Sequence, residues 1–160
     1  MSPVEIRDLE RRAFRAWPAL ETRANSGWLQ RFAGGYTKRA NSINAIEHGA
    51  HFTPAVMAEL ERPYRERSQP PIWRLTPLAP PEADAVLAGC GYRRIDQSLV
   101  QRARLDDRFS PDSEVRIAPS PSAQWLGGFA GLSPVAPHHR ETMTRMLGLI
   151  AAPVGFASVE

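Results

Sequence analysis

The chain has 160 residues, of which 42% are hydrophobic, so it can form a core of one domain, or of one domain and part of another. No apolar run approaches the roughly 18–20 residues that cross a bilayer, and residues 1–20 lack the apolar centre of a secretory signal. We therefore expect no membrane association. The single cysteine, Cys90, cannot form a disulfide within the chain and fits a reducing cytoplasm.

The basic residues are almost all arginines, with Lys38 the one lysine among 20, and 17 acidic residues leave a net charge of +3. Nucleic-acid-binding proteins usually concentrate positive charge on one face. Here the arginines are scattered among acidic residues, which favours a solvated surface and no nucleic-acid partner. Nucleic-acid binding is the minor alternative, and it would show as strongly salt-dependent retention on DNA.

The first elements in the chain are a helix and a hairpin. Ser2 to Glu5 has the pattern of a capping box, and Pro18 ends the apolar helical spacing that follows it. Two extended stretches, Ser26–Ala33 and Arg39–Ile46, flank Gly34 and Gly35, which predicts a β-hairpin.

A second run of elements follows the hairpin. Thr53 and Pro54 open a helix in which Pro63 predicts a kink or an early end. A short strand over Ile72–Thr76 comes next, then a helix from Pro80 that ends near Gly89. The stretch Tyr92–Leu105 is typical of a long strand. This order predicts an α/β fold, a mixed sheet flanked by helices.

The remaining sequence predicts a second, incomplete unit. Residues 106–113 are polar and contain a proline, so we interpret them as a linker. A strand over Glu114–Ala118, two amphipathic helices and a final strand over Val154–Val159 follow. We therefore divide the chain into a unit of residues 1–105 and the start of a second unit, residues 114–160. The final strand lacks charge and predicts self-association through a free edge.

Three segments resemble those of bacterial GNAT-type N-acetyltransferases: the hairpin run from Trp28 to Asn44, the stretch Ile72–Pro77, and the helix end Gly91–Arg94. The resemblance implies a GNAT-like sheet, acetyl-CoA as co-substrate, and a small-molecule or peptide amine as acceptor. Members of this subgroup are longer, with a back half that carries acetyl-CoA.

The acetyl-CoA loop of that family, Gln/Arg-x-x-Gly-x-Gly/Ala, has no good counterpart in this sequence. The run from Gln124 places Phe129 where a small residue is needed, and the run from Arg31 places Tyr36 there. The family's tyrosine acid falls on Leu87, which cannot donate a proton. We expect residues 26–105 to be a degenerate GNAT-like half, acetyl-CoA not to bind this chain tightly, and the catalytic residues to remain unidentified.

The polar residues of the hairpin form the one cluster with a candidate functional role. Trp28, Arg39, Asn41 and Asn44 could line an acceptor cleft, or their hydrogen bonds could simply fix the hairpin. A metal site at His48 and His51, a catalytic pair at His138 and His139, and a nucleophilic Cys90 are each the weaker interpretation.

The leading hypothesis is therefore the N-terminal portion of a GNAT-family N-acetyltransferase, inactive alone. The alternative is a non-catalytic protein of the same fold that acts in binding or as a scaffold. The coding DNA beyond Glu160 separates the two: a continued frame with the glycine loop favours the enzyme, and a stop codon favours the scaffold.

Overall fold

A computed structural model of the protein describes residues 1–101, 115–151 and 153–159. The helices are α1 Pro3–Ala16, α2 Pro54–Glu66, α3 Ala83–Gly89, α4 Ala123–Leu132 and α5 Arg140–Gly148. The strands are β1 Glu21–Asn25, β2 Trp28–Phe32, β3 Ile43–Ala45, β4 Trp73–Arg74, β5 Val115–Ala118 and β6 Phe156–Val159. Single 3₁₀ turns lie at Lys38–Ala40 and Pro137–His139.

The main sheet has four strands in the order β1-β2-β3-β4. β1 and β3 both run antiparallel to β2, and β4 runs parallel to β3. Strands β5 and β6 form a separate antiparallel pair, in which Val115 faces Val159 and Ala118 faces Phe156. The predicted α/β fold with a mixed sheet and flanking helices is confirmed.

Local signals placed the first helix and the hairpin correctly. Ser2 and Glu5 form the complete capping box that starts α1. Strands β2 and β3 pair as predicted, with Leu29 opposite Asn44, but both are shorter than the predicted stretches. Ser26 lies in the turn between β1 and β2, and Arg39 lies in a 3₁₀ turn before β3.

Strand β1 was not predicted, because nearly all of its residues are exposed and polar and it shows no apolar alternation. It is an edge strand that pairs with β2 through the backbone, and Arg23 also lies over the Phe32 ring of β2.

Two predicted strands were wrong, and of the two alternatives at Pro63 one is excluded. Helix α2 does not end early at Pro63 but continues to Glu66, and a kink there stays a prediction. β4 covers only Trp73–Arg74 of the predicted Ile72–Thr76. Residues 92–101 are irregular rather than a strand, and positions 102–105 lie outside the described residues. Asp96 has a left-handed φ of 51°, which a strand does not accommodate.

Side-chain contacts, rather than a strand ladder, hold residues 92–101 near the sheet. The Tyr92 hydroxyl donates to the buried Glu61 carboxylate, and Lys38 pairs with Asp96. The apolar side chains of Ile95, Leu99 and Val100 remain exposed, so their pattern in the sequence does not reflect burial.

The C-terminal helices and the hairpin share one core. Ala33 and Tyr36 pack in the same buried cluster as Met143 and Met146 of α5 and Phe156 of β6. A second cluster lies on the other side of the hairpin and includes Trp28, Ile43, Leu60, Tyr64 and Leu78. The predicted linker, residues 106–113, lies outside the described residues, and the division into two units stays a prediction.

No helix within the described ranges is both long enough and apolar enough to cross a membrane.

We propose that β6 associates with another copy of the chain through its free edge. Within the described residues its one strand neighbour is β5, and it carries neither charge nor proline. Replacing the exposed Ala157 with lysine places a charge in this strand and should reduce association. Sedimentation velocity over a wide concentration range measures the effect, with Gln124→Lys on exposed α4 as the control of equal charge. A wild-type chain that stays monomeric at high concentration would contradict the proposal.

Candidate functional site

The candidate site is built on the loop that joins β2 to β3, residues 33–42, which we call the hairpin loop. Asn41 fills its centre and is buried. Its Oδ1 accepts hydrogen bonds from the backbone N–H groups of Ala33 (2.8 Å) and Gly35 (3.0 Å). Its Nδ2 donates to the carbonyl groups of Tyr36 and Thr37, both at 2.8 Å. One side chain thus satisfies four backbone groups and fixes the loop's shape.

Arg31 of β2 lies beneath the loop with 1% of its surface exposed. Its guanidinium donates to the Arg39 carbonyl at 2.6 Å and to the Trp17 carbonyl at the end of α1. The same group stands 4.8 Å from the Phe14 ring centroid, in cation–π contact. Arg31 therefore joins the loop, the sheet and the end of α1.

Burial lowers the pKa of Arg31 to about 10, with further lowering by the charges of Arg74 and Arg39. The guanidinium still carries its charge at neutral pH. Part of that charge is balanced by the carboxylate of Glu10, which is buried on the inner face of α1. Glu10 also forms a bidentate ion pair with Arg74. Like-charge repulsion between Arg31 and Arg74 is thus offset by a carboxylate from a third element.

The predicted cleft residues occupy two kinds of position. Trp28, Asn41 and Asn44 are buried, while Arg39 is exposed in the middle of the loop's 3₁₀ turn. Trp28 Nε1 donates to the His51 carbonyl at 2.8 Å, and Asn44 donates to the Ser42 carbonyl at 2.9 Å. These contacts are the hydrogen bonding that fixes the hairpin. A role in contacting an acceptor stays a prediction.

The outer surface of the loop carries residues that the sequence analysis did not bring together. Gly34 and Gly35 are exposed with φ of 57° and 82°. A methyl group on the Cα of Gly35 would stand 3.7 Å from Gln69 Nε2 and 3.8 Å from His139 Cε1. The Tyr36 ring lies 5.5 Å from the His139 ring. Gln69 and His139 thus flank an open patch of backbone.

Burial favours the neutral forms of two groups beside the loop, the His139 imidazole and the Tyr36 hydroxyl. Burial lowers the pKa of His139 below its usual 6.5, and the charge of His138 lowers it further. Burial raises the pKa of the Tyr36 hydroxyl. A neutral imidazole can accept one hydrogen bond and donate another, so the patch offers polar contacts without adding a charge.

The candidate acetyl-CoA loops do not fit a pyrophosphate. The run Gln124–Phe129 lies inside helix α4, where no loop exists. In the hairpin loop, the N–H groups of Ala33 and Gly35 are already donated to Asn41, and that of Tyr36 to the Ala33 carbonyl. Anion binding on a backbone needs free N–H groups. Leu87, at the position of the family's tyrosine, is buried in α3.

Other candidate sites find little support in the described parts of the chain. No group of three or more potential metal ligands comes together there, and His48 is exposed. Two hollows lie beside Pro80 and Pro81, one of them about 350 Å³ and lined by His51, Phe52 and Glu82. Neither of these two is lined by the hairpin loop. Cys90 is an exposed free thiol.

Comparison with known proteins identifies a family over nearly the whole chain. The family described as probable histone acetyltransferase Rv0428c C-terminal matches residues 3–159. The uncharacterized N-acetyltransferase YobR of Bacillus subtilis is 28% identical over 146 residues, which cover 86% of this chain and 57% of that protein. The probable histone acetyltransferase Rv0428c of Mycobacterium tuberculosis is 34% identical over 123 residues, 76% of this chain and 37% of that protein. No solved structure matches.

The position of His139 leads to a prediction about pH. Because its pKa is lower in the folded than in the unfolded chain, the unfolded chain binds more protons just below pH 6.5. The contribution of His139 to stability is therefore present above pH 6.5 and is lost as the pH falls through the folded pKa. An NMR titration of the imidazole Cε1–H of His139 should show a pKa below 6.5, and His139→Gln should reduce the loss of stability on acidification. A His139 pKa at or above 6.5 would contradict this account.

Proposed function

The chain belongs to the Rv0428c C-terminal family of probable histone acetyltransferases, and on that premise we propose that it is the N-terminal portion of a GNAT-type N-acetyltransferase. The observation that carries the acetyltransferase part of the proposal is the family match over residues 3–159. The N-terminal placement rests on the resemblance of the hairpin run to the front half of GNAT-type proteins, although the matched family is described as a C-terminal region. The names of both relatives, an N-acetyltransferase and a probable histone acetyltransferase, support the reaction class. In this reaction an amine nitrogen bonds to the acetyl carbonyl carbon, and the thiol of coenzyme A leaves.

We further propose that this portion serves the acceptor amine rather than acetyl-CoA. Neither candidate loop fits the pyrophosphate, because three N–H groups of the hairpin loop are donated within it and the run from Gln124 lies in helix α4. The chain spans 57% and 37% of the lengths of the two relatives it matches, so the complete proteins contain more chain than is aligned here. Acetyl-CoA would then be held outside residues 1–160, and this portion would be inactive alone.

The hairpin loop is the proposed acceptor-side surface. It is fixed from within by Asn41 and Arg31, so its outer face is preorganised, which reduces the entropy cost of binding. Arg39 and the Gly34–Gly35 backbone are exposed on it. The acceptor class that fits is a small-molecule or peptide amine, and the proposed compartment is the cytoplasm.

The alternative, a non-catalytic protein of the same fold, is favoured by one observation. The polar groups of the hairpin loop that could have served chemistry are used within the loop. A scaffold would bind a partner without consuming acetyl-CoA. The coding DNA beyond Glu160 distinguishes the two, because the enzyme requires a glycine loop in the continued frame.

Calorimetric titration of the 160-residue chain with acetyl-CoA tests whether acetyl-CoA is held outside residues 1–160. We expect no binding in the micromolar range, because neither candidate loop has the glycine spacing of the family's acetyl-CoA loop and the N–H groups of Ala33, Gly35 and Tyr36 are already donated. A micromolar dissociation constant would show that this chain holds the co-substrate itself.

A companion assay tests the activity. If the frame continues, the longer product should release thiol from acetyl-CoA in the presence of primary amines, while the 160-residue chain releases none. Failure of the longer product with a broad panel of amines would favour the scaffold. Turnover by the 160-residue chain would contradict the proposed inactivity.

A further inference from the structure

The outer side of helix α1 carries a row of arginine side chains. Arg7, Arg11 and Arg15 follow one another at intervals of four residues. In an α-helix each such interval turns about 40° around the axis and rises about 6 Å, so the three residues form one gently inclined row about 12 Å long. We call this row the arginine stripe.

The three guanidinium groups of the arginine stripe form neither an ion pair nor a hydrogen bond within the described residues. By contrast, Arg12 on the neighbouring side of the helix pairs with Asp8 at 2.9 Å. Arg11 and Arg15 are exposed. Arg7 is half-buried, and its Nε is shielded from water without an acceptor. Because an unpaired buried donor is unfavourable, the Arg7 guanidinium gains a partner if it moves outward to an anion.

The acidic residues of α1 are all engaged elsewhere. Glu5 closes the capping box at the start of the helix, and Asp8 is paired with Arg12. The buried Glu10 gives both of its carboxylate oxygens to Arg74. The helix therefore does not neutralise its own arginine stripe.

The layer beneath α1 adds to the positive potential. Arg31 is buried there, and its charge is only partly offset by Glu10, since no described carboxylate bonds to it. The exposed Arg39 lies close by, because its carbonyl group and the Trp17 carbonyl at the end of α1 accept hydrogen bonds from the same guanidinium. The interior screens charge less than water does, so the Arg31 charge strengthens the field at this surface.

We propose that the arginine stripe binds the phosphate backbone of a nucleic acid without reading its sequence. A guanidinium group can donate two parallel hydrogen bonds to one phosphate. Each strand of a duplex carries a phosphate about every 3.4 Å along the axis, so arginines about 6 Å apart can contact alternate phosphates. The sequence alone favours no nucleic-acid partner because its arginines are scattered along the chain, whereas the helix aligns three of them.

The composition of this side of α1 favours a nucleic acid over an acidic protein. Protein interfaces usually have an apolar centre with aromatic anchors. Among the residues of α1, all of which the structure describes, Val4 is the one large apolar side chain that is exposed. The aromatic residue of the helix, Phe14, is stacked on buried Arg31. A partner on this surface is therefore held by charge, and its binding requires neither acetyl-CoA nor an acceptor amine.

Fluorescence anisotropy of a labelled DNA duplex of arbitrary sequence, titrated with the 160-residue chain, tests the proposal. Three phosphate contacts predict that the affinity falls about fortyfold between about 50 and 200 mM salt. A duplex of unrelated sequence should bind with the same affinity, because no base is read. Absence of binding at about 50 mM salt, or an affinity that salt does not change, would overturn the proposal.

Matched double variants separate the arginine stripe from the net charge of the chain. Combining Arg11→Gln with Arg15→Gln removes two of the three contacts, so the loss of affinity over the same salt range should shrink to about fourfold. Combining Arg62→Gln with Arg145→Gln removes the same charge from exposed positions of α2 and α5 and should leave the loss at about fortyfold. Both variants should keep the Tm of the wild type, because all four side chains are exposed. Equal effects of the two double variants would refute the assignment.

Competition with polyglutamate distinguishes a nucleic acid from an acidic protein. A DNA duplex carries one charge about every 1.7 Å, so its binding releases condensed counterions and should persist at an equal concentration of polyglutamate charge. Displacement of the duplex by polyglutamate under these conditions would show that an acidic protein can occupy the arginine stripe and would contradict the choice of a nucleic acid.

Discussion

The fold depends on one buried cation. The Arg31 guanidinium is removed from solvent on β2 and donates to backbone carbonyl groups at the end of α1 and in the hairpin loop. A buried charge is costly unless it is well paired, so these carbonyl positions are constrained by the arginine as much as the arginine is by them. The Glu10 carboxylate, itself paired with Arg74, offsets only part of this charge, and Arg31 Nε has no hydrogen-bond partner within the described residues. Helix α1, the sheet and the loop therefore hold a single relative arrangement.

The consequences extend outward from this centre. With Arg39 held by its carbonyl and Asn41 filling the loop, the Gly34–Gly35 backbone has no freedom to collapse inward. Helix α5 packs its methionines on the inner side of the loop, which places His139 beside Tyr36. Core packing thus fixes the backbone of the proposed acceptor surface, so we expect the hairpin loop to keep its conformation on binding. The same saturation of N–H groups explains why this loop does not suit a pyrophosphate.

The sequence was informative where structure is decided locally. The capping box of Ser2 and Glu5, the glycine pair of the hairpin and the glycine that ends α3 all lie where predicted. The sequence was uninformative where the formation of an element depends on which side chains the tertiary structure buries. Polar β1 forms because β2 pairs with it, whereas the apolar residues Ile95 and Leu99 never reach the core.

The candidate functional site likewise contains some residues that the sequence pattern singles out and others that it does not. Asn41 and Asn44 were recognised from their pattern, and their contacts match the structural alternative that the sequence left open. Gln69 and His139 were beyond reach, because only tertiary packing brings the end of α2 and the start of α5 to one glycine. A pair of histidines at a helix start was the one available signal.

Native-state hydrogen exchange of an Arg31→Met variant tests the central claim most directly. Methionine fills similar space but leaves the Trp17 and Arg39 carbonyl groups without donors, at about 1–3 kcal/mol each. The account predicts that the Ala33 and Gly35 amides exchange at least about tenfold faster, while amides in the middle of α2 change much less. Equal acceleration at all sites, or none in the loop, would show that Arg31 does not organise the loop.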